Sequence, residues 1–108
     1  MVAVVDAGRL INPDIVRQQI ESGLIWGLAA ARGDRISYAH GLAEQTGFEG
    51  LNLPRIADCP DIRVELIPSS EAPGGVAELG VPVAAPAIAN AIFAATGKRL
   101  RSLPLVAA

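Results

Sequence analysis

In the stretch EAPGGVAELGVP, residues 71–82, one acid beyond the opening Glu71 stands among small residues: Glu78, with Gly74 and Gly75 ahead of it and Pro73 and Pro82 at either end. A carboxylate used as a general base has to be kept within hydrogen-bond reach of the proton it takes, so a stiff loop suits that chemistry and a mobile one does not. Prolines restrict the ends of such a loop, and adjacent glycines allow turns and close backbone approaches that other residues resist. Residue chemistry alone favours an ordinary glutamate solvated in a turn, because glutamates are rarely buried.

The other reactive side chains suggest less. One cysteine, Cys59, excludes an internal disulfide, and one histidine, His40, leaves no set of soft ligands for zinc, so no metal ligands are assigned. Cys59 lies in ADCPDI beside Asp58 and Asp61, whose negative charge disfavours a thiolate. Nine basic and eleven acidic residues give a formal net charge of −2, which offers no electrostatic footprint for a nucleic-acid backbone. Lys98, Arg99 and Arg101 cluster where they complement the negative end of a preceding helix. No apolar run reaches the ~20 residues a membrane span requires. The N-terminal MVAVVDAGRL lacks the basic start and cleavage site of a signal peptide, so the chain as written is expected to be cytoplasmic.

The elements that must position Glu78 can be read from patterning. The 108 residues have room for one domain, 1–108, with one core. Hydrophobic residues make up 51% but aromatics only 4%, so the interior is built from Ala, Val, Leu and Ile, which fill tight contacts between elements. A mean hydropathy of +0.38 is high for a small domain and suggests apolar surface meant for a partner. Val2 to Asp6 reads as a strand buried on both faces. Asp6 and Arg9 are expected to pin the turn that follows, and Asn12, Pro13 and Asp14 form a helix start. The helix carries Val16, Ile20, Gly23, Leu24, Gly27, Leu28 and Ala31 on one stripe, and Gly23 and Gly27 there imply a groove for a close neighbour. A turn at Gly33-Asp34 leads to a short strand, Ile36 to His40; a possible strand and a long irregular crossing follow. Ile62 to Pro68 alternates as a half-buried strand. Pro82 or Pro86 starts a second helix that Gly97 ends, and RLRSLPLV reads as a last short strand. The order, roughly β-α-β-(β)-β-α-β, predicts a two-layer α+β domain with two helices on one face of a mainly antiparallel or mixed sheet. Trp26 and Phe93 are expected in the core or facing a partner.

The D-x-G-R-x-x-N-P turn, the Gly-rich first helix and ANAIFAATGKR in the second carry a specific resemblance. Across nearly its whole length the chain resembles the C-terminal end of the molybdenum-binding large subunit of the xanthine dehydrogenase/aldehyde oxidase family, in particular the isoquinoline 1-oxidoreductase beta-subunit type. That end is only the last part of a much longer family subunit. The resemblance implies a molybdenum-dependent hydroxylase that acts on aldehydes or electron-poor N-heterocycles, takes oxygen from water, and uses molybdopterin cytosine dinucleotide in the complete enzyme. It puts the general base, the glutamate of a G-G-V-G-E loop, on Glu78, and the cofactor side of the loop on Gly75, Val76 and Ala77. Ala77 stands where the family typically has glycine, and Leu79 where it usually has proline. The implied partners are the rest of the large subunit and an iron–sulfur small subunit. The segments that grip the cofactor lie upstream in the family, so the chain alone is expected to be inactive and to bind no cofactor. The alternative expectation is a non-catalytic remnant that forms a homo-oligomer through its apolar surface.

Overall fold

A computed structural model describes residues 1–33 and 35–105. Strand β1, Val2–Val5, pairs in parallel with strand β4, Arg63–Leu66, in the register Val2↔Arg63 to Val5↔Leu66. Helix α1, Pro13–Arg32, and helix α2, Gly80–Thr96, pack against each other and over one face of that pair. Between α1 and β4, strands β2 (Tyr38–Ala39) and β3 (Leu42–Ala43) form a small antiparallel hairpin, followed by two 3₁₀ turns at Phe48–Gly50 and Ile56–Asp58. The architecture is two-layer α+β, with one parallel and one antiparallel pair of strands.

Helix α1 forms as its signals predict. The Asn12 Oδ1 accepts from the Ile15 amide at 3.2 Å, Pro13 fills the first helical position, and Asp14 pairs with Arg17 at 3.1 Å. Its buried residues, Ile20, Gly23, Leu24, Gly27, Leu28, Ala29 and Ala31, cover the predicted stripe from its second turn onward. The core joins Ile20 and Leu24 of α1 to Val64 of β4 and Ala84 of α2, flanked by Met1, Ala3, Val5, Ile62 and Leu66.

Glycines set the spacing of the helices. A Cβ added to Gly80 would lie 2.5 Å from the Ile20 carbonyl oxygen and 2.6 Å from the Leu24 nitrogen. A Cβ on Gly27 would overlap the Val81 carbonyl and sit 2.6 Å from the Ala84 Cβ. The start of α2 therefore lies in a groove that α1 can offer only with glycines at 23 and 27. In α2 only Gly80 and Ala84 are buried, Ala84 wholly.

Several expectations are corrected. Strand β1 is not buried on both faces: Val2 and Val4 are 72% and 65% exposed, because among the described residues the parallel sheet has two strands and no element covers its second face. Helix α2 begins at Gly80, ahead of both prolines; Pro82 falls in the first turn, where no amide partner is required, and Pro86 lies inside the helix. The strand expected over Ile36 to His40 shrinks to Tyr38–Ala39, and the possible strand after it is β3. His40 (φ 52°) and Gly41 (φ 79°) turn the chain between them. The last strand does not form among residues 99–105. Arg99 instead stacks on the Phe93 ring at 3.6 Å and donates to the Asn90 Oδ1 at 2.7 Å, while the Leu105 amide donates to the Ala31 carbonyl at 2.8 Å. Of the turn at Gly33-Asp34, Asp34 lies outside the described residues, as does Val106 of the expected strand. Trp26, at 65% exposure, is not a core residue, and neither is Phe93.

The chain exposes 7671 Å², against about 5,700 Å² for a compact protein of its mass. Its radius of gyration is 16.3 Å, where about 13 Å is usual at this length. Small side chains and two short sheets leave much apolar surface uncovered.

Candidate active-site loop

The loop that bears Glu78 is held at both ends. At its start, the Arg9 amide donates to the Glu71 carbonyl and the Gly74 amide donates to the Ala7 carbonyl, both at 2.9 Å. The turn that offers these partners is itself fixed, because the Asp6 Oδ1 accepts from the Gly8 amide at 3.0 Å. Gly8 has φ +70°, which side chains resist, and a Cβ there would overlap the Ala72 carbonyl. The D-x-G-R turn thus supports the Gly-rich loop: Asp6 closes the turn, and Gly8 lets residue 72 pass. Arg9 takes part through its backbone, so the role expected of it holds without its guanidinium.

At the other end the loop runs into α2, whose first residue is seated against α1. The Glu78 carbonyl accepts from the Val81 amide at 3.1 Å, which makes Glu78 part of the helix start. Among the described residues the Glu78 side chain has no hydrogen-bond or ion-pair partner, and it is exposed.

The other three predicted positions differ in surroundings. A Cβ on Gly75 would meet nothing within 4 Å among the described residues, which leave that side of the loop open. Val76 is half-buried and, with Pro73 and Gly74, borders a cleft of about 240 Å³ against Ala7, Ile11 and Ile15. Ala77 is exposed, and among the described residues His40 alone combines a side chain with positive φ. An alanine is therefore accommodated at 77 without backbone strain. Sequence reasoning missed the contribution of Ala7 and Ala72, whose carbonyls and close packing carry the loop; the only signal was the glycine at position 8.

A family model described as "Molybdopterin cofactor-binding domain" matches residues 1–60. The chain belongs to this family. It is 42% identical over 101 residues to isoquinoline 1-oxidoreductase subunit beta of Brevundimonas diminuta, which covers 94% of this chain and 13% of the relative. It is 38% identical over 102 residues to a membrane-bound aldehyde dehydrogenase of Gluconacetobacter polyoxogenes named for pyrroloquinoline quinone, again 94% of this chain and 13% of the relative. Among solved structures, the Cu,Mo-containing CO dehydrogenase in its carbon monoxide reduced state superposes with a TM-score of 0.80 at 24% identity over 96% of this chain and 14% of that one, a likeness of fold. The chain spans about 13% of the length of the two relatives it matches here. These likenesses make it a segment of xanthine dehydrogenase/aldehyde oxidase type. The names of the relatives differ in the cofactor they mention, so molybdopterin rests on the family match.

A Cβ on Gly74 would touch the Ala7 carbonyl oxygen at 3.6 Å, whereas Gly75 is uncovered among the described residues. No group of three or more His, Cys, Asp or Glu among the described residues could hold a metal ion.

Proposed function

We propose that this chain, acting as one unit over residues 1–108, completes the large subunit of a molybdenum-dependent hydroxylase and contributes Glu78 as its general base. The substrate class is an aldehyde or an electron-poor N-heteroaromatic compound, with oxygen from water. The observation that carries the reading is the double clamp on the loop: Gly74 bonded to Ala7 on one side and Gly80 seated on Ile20 and Leu24 on the other, with an unpaired, exposed Glu78 between. A base needs this kind of fixed backbone and a free carboxylate.

Gly75, Val76 and Ala77 would line the cofactor, in its cytosine dinucleotide form. When bound, the cofactor supplies a two-electron acceptor. Glu78 takes the proton released as water-derived oxygen is transferred to the substrate carbon, and its carboxylate holds that proton. The loop's small residues keep the backbone near the reacting group without blocking it. Electrons would leave to an iron–sulfur small subunit. By itself the chain has a base with nothing to act on, so it is inactive alone.

The test is co-expression with the B. diminuta isoquinoline 1-oxidoreductase subunit beta lacking the segment that matches this chain. Stable association and restored oxidation of an N-heterocycle are expected; a monomer that never associates sinks the reading. A second reading, a non-catalytic domain that self-associates, draws on the same exposed apolar surface. Light scattering distinguishes it, since it requires an oligomer of the chain alone.

A further inference from the structure

Strand β1 is an edge with its ladder half used. The Met1 carbonyl accepts from the Arg63 amide at 2.9 Å and the Val5 carbonyl from the Ile67 amide at 2.8 Å. In a parallel ladder alternate residues bond to the same neighbour, so residues 1, 3 and 5 face β4. The backbone groups of Val2 and Val4 then point to the opposite edge, where no strand lies among the described residues. Natural edges are blunted by charge, proline or a bulge, and the run VAVV has none of these.

Beside this edge runs an apolar groove of about 640 Å³. One wall is β1 and the other is the outer side of α2, with Leu79, Val83, Ala87, Ile88 and Ala91. A charged side chain, Asp6, borders it at one end only. Parallel strands are found buried beneath helices, and two-stranded sheets do not stand alone in water. The groove therefore has the form of a sheet position with its covering helix already in place.

We infer that this groove receives a β-strand from the remainder of the molybdenum-binding large subunit, which adds to the free edge of β1 and packs alternate apolar side chains under α2. This rests on the function proposed above. What favours that occupant is the length of chain elsewhere: the relatives carry roughly seven times as much chain as this segment matches. The area and radius of gyration in excess of a compact fold point the same way. The incoming strand supplies bonds to the Val2 and Val4 amides and carbonyls, and about four residues of it match the ~13 Å length of β1. Its position ties Glu78 to the rest of the subunit, because Leu79 and Gly80 line the same groove one and two residues on.

The test follows amide exchange at Val4 in the isotope-labelled chain, alone and bound to the B. diminuta subunit beta that lacks the matching segment. Exchange at Val4 is expected to slow at least about tenfold on binding. Ala91→Glu, at an exposed position that leaves the core untouched, is expected to weaken binding at least about tenfold with helix content unchanged. A Val4 amide that stays unprotected in the complex, or full affinity of Ala91→Glu, overturns the inference while the proposed function stands. Absence of any association overturns both. Protection of Val4 in the chain alone that rises with concentration assigns the edge to a second copy and overturns the inference too.

Discussion

Gly23 and Gly80 meet backbone to backbone: a Cβ built on Gly23 would stand 3.0 Å from the Gly80 Cα. Glu78 lies two residues before Gly80, so the contact between the two helices fixes where the carboxylate begins. The position of the candidate base is thus decided by residues without side chains, in a helix some fifty residues upstream.

The groove gives a test of sign. In an ordinary helix, replacing an interior glycine by alanine stabilises by about 1 kcal/mol. At Gly27 the new methyl would overlap the Val81 carbonyl, so Gly27→Ala is expected to destabilise by about 1–3 kcal/mol instead. Denaturant unfolding followed by circular dichroism reads the sign directly.

Gly8 and Gly75 are expected to behave differently. Gly8→Ala forces a side chain into φ +70° and against residue 72, at a cost of about 1 kcal/mol or more, and frees the Gly74 amide to exchange. Gly75→Ala meets open space, so stability is expected to stay within about 0.5 kcal/mol. In the completed enzyme, however, Gly75→Ala lowers activity, since its methyl stands on the side assigned to the cofactor. Equal stability losses in both variants would refute the assignment of their roles.

Glu78→Gln keeps size and exposure and removes the base. In the completed enzyme kcat is expected to fall by roughly 10²–10⁴-fold, with association and bound cofactor unchanged. Steady-state kinetics alongside a molybdenum assay checks both halves; near-normal kcat in Glu78→Gln would assign the proton transfer elsewhere.

Asp58 provides a pH dependence. The Arg55 amide donates to its Oδ2 at 2.9 Å and Arg32 pairs with its Oδ1 at 2.8 Å, and these, in that order, hold its carboxyl below the ordinary value of 3.8. A carboxyl lowered in the folded state stabilises the fold above its unfolded value, and that contribution is lost as pH falls through the folded one. The link between the end of α1 and the 3₁₀ turn is therefore expected to weaken below about pH 4. Asp58→Asn should flatten this acid limb in a stability–pH profile. An unchanged limb would mean that other carboxylates dominate it.

Much of the fold is legible in local patterns. The cap at Asn12, the stripe from Ile20 to Ala31 and the end of α2 at Gly97, where φ is 73°, each depend on a few neighbouring residues, and each is found where predicted. Errors collect where the outcome depends on distant chain. VAVV reads as a doubly buried strand because its residues suit one, yet burial requires neighbours on both faces, and among the described residues only α1, α2 and β4 are near it. Helix α2 starts before its prolines because Gly80 fits the groove in α1, a contact that local propensity does not encode. The last strand has β-like residues but no ladder to join, so Arg99 turns back to Phe93 and Asn90.

The candidate site divides in the same way. Residue types and order alone determine that the chain offers one carboxylate in a short glycine loop ahead of an apolar helix, because these are properties of neighbouring residues. Only the tertiary structure decides that this loop is held at both ends: Ala7 bonds Gly74 and Gly8 admits Ala72 at one end, and Ile20, Gly23 and Leu24 meet Gly80 at the other, through close backbone contacts between segments up to about sixty-seven residues apart. The physical reason is that a hydrogen bond or a missing Cβ acts over a few ångströms in space, and proximity between distant segments exists only once the helices and strands have packed.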